Sequence, residues 1–186
     1  MNRTQKLLLI SDLLVLTGFG LVTPILAIYI NDVQGGDVLA AGLASTLFLL
    51  TKSLVQLPFS QFIDRRRDKA RWLLLGTGLI TIVPMLYIFI DHIYQVFLAE
   101  ILYGLGSGLA YPTWMGLWSA NLNKGQEGFE WSVYSTATGL GTAATAAAGA
   151  ALASIVGFTS TFVFTSLMCA LGSGILLILE REGSEG

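Results

Sequence analysis

Asp12, Lys52 and Glu100 are ionisable side chains set inside long apolar runs. A charge at the centre of a membrane helix costs at least ~2.5–3.5 kcal/mol on insertion scales, so each is expected to face protein or a wet cavity. Lys52 lies roughly 15 Å along a helix from the nearer span end. That exceeds easy snorkelling reach and favours a partner carboxylate or water-filled space. A carboxylate withdrawn from water binds a proton more readily than an exposed one, which makes Asp12 and Glu100 candidates for proton coupling. Gln56, one turn from Lys52, and Tyr103 and Tyr111 add polar side chains to the same candidate pathway. A plainer reading stands beside each: structural ion pairing for the charges, and packing with one hydrogen bond for the tyrosines.

Enzymatic chemistry has no such candidates. The sequence contains no Ser/His/Asp set, paired-cysteine motif, phosphate loop or helical zinc motif. His92 stands alone beside Asp91 and reads as a solvated connector residue, so no metal or cofactor is expected. Cys169 is the one cysteine, which excludes an internal disulfide.

A spacing occurs twice. Asp12, Gly18, Gly20 and Pro24 are matched by Glu100, Gly106, Gly108 and Pro112, both reading acid-x5-Gly-x-Gly-x3-Pro. Glycine admits a close helix neighbour, and proline removes an amide hydrogen bond, so both segments are candidates for tight packing and bending. Ordinary helix packing is the simpler alternative, because Gly and Pro are common in membrane helices.

The elements that must position these residues follow from composition. Of 186 residues, 54% are apolar and 12% charged, and the mean hydropathy is +0.70. Such a chain is not a water-soluble enzyme, a nucleic-acid binder or a disordered tail. Apolar stretches at approximately 7–30, 38–62, 72–90, 93–119, 132–155 and 158–179 each approach the ~20 residues that cross hydrocarbon as a helix. Helices are required, since unpaired backbone amides in lipid are costly. Arg3 and Lys6 precede the first stretch as in a signal peptide, but 7–30 is about twice the length of an h-region. A retained span is expected, and residues 1–186 read as one six-helix transmembrane domain.

The ten Lys and Arg set the orientation. If every stretch crosses, nine of them share one side with both termini, Lys52 lies inside a span, and the opposite connectors hold none. The positive-inside rule then places both termini in the cytoplasm, in a plasma or inner membrane. Three crossings separate the two acid-bearing spans, so they run in opposite directions. A 3+3 inverted repeat is the architecture expected of that pattern. Span five, Ser135 to Ala151, is almost wholly Gly, Ala, Ser and Thr, and suits tight helix packing better than solute contact.

These features together resemble the N-terminal half of a major facilitator superfamily transporter. The run from Leu57 to Lys69 is similar to the family's cytoplasmic loop motif, Gly-x3-Asp-Arg-x-Gly-x-Lys/Arg. Asp64, Arg65 and Lys69 match it, while Ser60 and Arg67 replace the two glycines. Span four resembles the family's Arg-x3-Gly-x-Gly segment at Gly104, Gly106 and Gly108, with Glu100 where arginine is usual. Lys124-Gly125 through Gly128-Phe129 is similar to the loop before span five. Span five has Gly139, Gly141 and Gly149 without the Gly-Pro pair associated with antiporters.

The resemblance implies secondary transport of a small solute by alternating access. It also implies that Asp64, Arg65 and Lys69 link helix ends in the outward-open state. Family members usually have two six-helix halves, so a second bundle is expected, from a parallel homodimer or another chain. A non-transporting structural or regulatory subunit, or a transporter fragment, is the alternative. A channel is disfavoured, because no filter segment is visible.

Overall fold

The computed structural model describes residues 1–184, with side chains through Arg181. Among the described residues the chain forms α1 (Arg3–Val22), α2 (Leu26–Asp32), α3 (Val38–Asp64), α4 (Lys69–Tyr87), α5 (Ile93–Ala120) and α6 (Glu127–Ser184). Five of the six are long and apolar enough to cross a membrane.

Local chemistry sets the ends. Asn2 and Gln5 open α1 reciprocally: the Asn2 side chain accepts from the Gln5 amide at 2.8 Å, and the Gln5 side chain from the Asn2 amide at 2.8 Å. Asp37 opens α3 by accepting from the Ala40 amide at 2.6 Å. His92, read as a connector residue, directly precedes α5, and the Gln95 side chain accepts from its amide at 3.0 Å. Gly157 has φ 85 and ψ 169, a conformation open to glycine, and divides α6 into two arms, 127–156 and 158–184.

The first span is not one rod. Where the sequence suggests an unbroken 7–30, α1 stops at Val22 and α2 begins at Leu26, with Pro24 in the gap. Pro112, at the equivalent place in the second copy of the spacing, lies inside an uninterrupted α5. The Thr23 hydroxyl accompanies the break by donating to the Phe19 carbonyl at 2.9 Å.

α1 packs along α6, α5 lies between α3 and α4, and α4 also meets α6. Hydrogen bonds tie the connectors end by end. Gln34 N donates to the Asp91 carbonyl at 3.1 Å, and Ile93 N to the Gln34 carbonyl at 3.1 Å, joining two of the connectors that hold no Lys or Arg. At the other end Asn2 Nδ2 donates to Asn121 Oδ1 at 3.0 Å, and Arg71 Nε to Glu180 Oε1 at 2.7 Å.

Candidate functional site

α1, α3 and α5 enclose a cavity of about 270 Å³, completed by α4 and α6. Its α1 wall is fixed by Ser11 Oγ, which donates to the Gly172 carbonyl at 2.8 Å and binds α1 to the second arm of α6. The next residue, Asp12, lines the cavity, and the Tyr134 hydroxyl donates to its Oδ2 at 2.6 Å. Lys52 enters from α3 with its Nζ 4.7 Å from the Tyr111 ring centroid and 5.9 Å from that of Phe48. Both lie within cation–π range. Among the described residues Lys52 has no carboxylate within ion-pair distance.

A second cavity of about 280 Å³ lies toward α2. Glu100 lines it at 3% exposure, and the Tyr87 hydroxyl donates to Glu100 Oε1. Tyr87 is held in turn, since the Tyr29 hydroxyl donates to its carbonyl at 2.6 Å. Phe19, Phe48 and Tyr103 line both cavities. Their rings form one stack, Phe19 to Tyr103 at 4.5 Å and Phe48 to Tyr103 at 4.3 Å. Three side chains from three helices thus form the wall between a chamber with Asp12 and Lys52 and a chamber with Glu100.

The structure therefore brings Asp12, Lys52, Tyr103 and Tyr111 to the first cavity, and Tyr103 and Glu100 to the second. Gln56 is half-buried on α3 and lines neither. Thr138 and Thr145 in span five turn their hydroxyls onto their own helix, at the carbonyls of Tyr134 and Gly141.

The paired glycines have ordered partners. A Cβ at Gly18 would lie 3.3 Å from the Thr165 carbonyl oxygen, on the second arm of α6, and one at Gly20 the same distance from that of Thr142, on the first arm. At Gly106 it would lie 2.9 Å from the Gly76 carbonyl oxygen on α4, and at Gly108 2.9 Å from Val55 on α3. Gly104 also faces α3, 2.7 Å from the Phe48 carbonyl oxygen by the same measure.

Asp64 ends α3, Lys69 begins α4, and Arg65 lies in the short connection between them. Lys69 Nζ lies 3.9 Å from Asp64 Oδ1, with Gly116 of α5 beside the pair. Asp64 is 72% exposed, so the pair contributes at most about 1 kcal/mol.

Tyr134, Tyr87, Phe19 and Phe48 escape a reading of the sequence. Each is an aromatic residue in an apolar run, and Tyr134 meets Asp12 across 122 positions. A further buried cluster sits at the basic end. Gln5 Nε2 donates to Glu130 Oε2 at 2.6 Å, and Asn123 N donates to the same oxygen at 3.0 Å. Nothing in the sequence points to this cluster, in which Gln5 and Glu130 lie 125 positions apart along the chain.

The family model described as Major Facilitator Superfamily matches residues 8–186. The chain belongs to the major facilitator superfamily. It is a multi-pass membrane protein of that family. As a fold, this major facilitator half is similar to a solved structure, the POT family transporter PepTSo, with a TM-score of 0.74 at 12% identity. The match covers 96% of this chain and 37% of that one. No protein of curated function matches in sequence.

Proposed function

We propose that the chain moves a small solute across a cell membrane by alternating access, as one six-helix half of a secondary transporter. The observation that carries this reading is the pair of cavities, one carboxylate in each, separated by the Phe19–Tyr103–Phe48 stack. Alternating access needs two compartments and a removable wall between them, and three stacked side chains on separate helices constitute such a wall. Glu100 and Asp12 are the proton-coupling candidates, because each sits in a cavity with a tyrosine hydroxyl as hydrogen-bond donor.

The 3+3 inverted repeat is supported by where the glycines pack. Span one meets span six at Gly18 and span five at Gly20; span four meets span three at Gly106 and span two at Gly108. Exchanging spans one, two and three with four, five and six maps each contact onto the other, as an in-plane twofold axis requires. The positive-inside rule, applied to the nine basic residues at one end, supports cytoplasmic termini.

A second bundle is supported by span five. Its inner face packs on α1, while Ser135, Gly139, Ala143, Ala147 and Ala151, four residues apart, are exposed. Small residues at that spacing let another helix approach closely. A second copy in the same orientation supplies one.

Purified chain in proton-tight vesicles tests the reading. Solute accumulation driven by an imposed proton gradient is the expected result. Equilibration without accumulation would assign a channel or uniporter, and uptake only with an added partner half would assign an accessory role.

A further inference from the structure

We propose that the first cavity binds a small zwitterion with an apolar or aromatic body, its ammonium at Asp12 and its carboxylate at Lys52; this rests on the transport reading above. Opposite charges line one small cavity, yet among the described residues no ion pair joins them. Asp12 gives one oxygen, Oδ2, to Tyr134, and its Oδ1 accepts no hydrogen bond among the described residues. The Lys52 ammonium has the faces of Tyr111 and Phe48. A ring face attracts a cation but accepts none of its three N–H donors in the way a carboxylate does. Each charge therefore retains capacity for a partner of opposite sign.

The occupant is selected by what each alternative leaves behind. A simple anion paired with Lys52 would face the Asp12 carboxylate in the same chamber. A simple cation paired with Asp12 would face Lys52. A neutral solute would give each charge hydrogen bonds at best and leave both without a counter-charge. A zwitterion satisfies both at once. Phe19 and Trp114 supply apolar wall for its body. The cavity of about 270 Å³ is close to the lower limit of small-molecule sites, ~300–1,000 Å³, which fits a small molecule and excludes a polymer. Glu100, in the other chamber, remains free to carry a proton.

Three probes with a shared phenylethyl skeleton test this by calorimetric titration of the purified chain: phenylalanine, 3-phenylpropionate and phenethylamine. Phenylalanine is expected to bind at least about tenfold tighter than either single-charge probe. Lys52→Gln should reduce phenylalanine to the affinity of phenethylamine, whose own binding persists. Asp12→Asn should reduce it to that of 3-phenylpropionate, which also persists. The surviving single-charge probe in each variant shows that the cavity is still folded. Equal affinities, preference for a single-charge probe, binding of none, or a variant that weakens all three alike overturns the proposal. Charge-matched binding without uptake in vesicles defeats the transport reading alone, whereas uptake restricted to neutral or singly charged solutes defeats this inference alone.

Discussion

The ring of Phe19 on α1 lies 4.5 Å from the ring of Tyr103 on α5, within 4° of parallel. The helices that carry the repeated spacing thus meet at the boundary between the two cavities, although most of α1 packs elsewhere, on α6. Offset stacking of this kind contributes about 0.5–1.5 kcal/mol beyond area burial, enough to hold a wall closed yet small enough to reverse.

Removing the wall should uncouple the chambers. Phe19→Ala and Tyr103→Ala are each expected to raise passive solute leak through vesicles while lowering gradient-driven accumulation. Leak and accumulation measured in the same vesicles check it. A leak unchanged from the parent would show that closure depends on other side chains.

Glu100 offers a separate test of coupling. Glu100→Gln keeps the volume and the hydrogen bond from Tyr87 but cannot exchange a proton at that oxygen. Accumulation against a gradient should fall by about a hundredfold, equivalent to roughly 2.7 kcal/mol, while solute counterflow persists. Counterflow and proton-driven uptake, assayed in parallel, separate the two steps. Loss of both in equal measure would mark Glu100 as structural.

The α4–α5 contact is backbone on backbone, with a Cβ at Gly76 only 2.6 Å from the Ala110 amide nitrogen. Gly76→Leu is expected to destabilise the bundle by about 1–3 kcal/mol or more through overpacking. Gly78, with nothing within 4 Å of its Cβ position, should accept Leu with little change. Melting temperatures of both variants in detergent supply the comparison.

Span five gives a test of pairing. Cys169 is the one cysteine and is buried, so a Cys169→Ser background leaves an introduced thiol unambiguous. Gly139→Cys and Ala143→Cys, on the exposed stripe, should crosslink into dimers in the membrane. Thr161→Cys, on a fully buried position of the second arm, should not. Monomers only from all three variants would remove the homodimer.

The sequence is legible wherever a constraint is local or set by the bilayer. Apolar length marks the helices, and the break between the last two apolar stretches marks the turn at Gly157. Asp12, Lys52 and Glu100 stand out because charge in lipid is costly, and the structure places all three against cavities. Their partners are invisible for a physical reason. Tyr134 and Tyr87 are amphipathic side chains that pack as readily as they donate, and only tertiary contact selects which does what. The two prolines show the same limit. Identical spacing yields a break at Pro24 and a continuous helix at Pro112, so the local pattern alone does not fix the outcome.

Gly157 joins the two arms of α6 through a single non-helical residue. A link that short has no slack, so neither arm can slide along the other, and both are fastened to α1 through Gly18 and Gly20. Tilting any one of these rods carries the other two with it. The helical ladder on this side of the molecule is interrupted instead between Thr23 and Ile25, where Thr23 lines the same cavity as the aromatic wall.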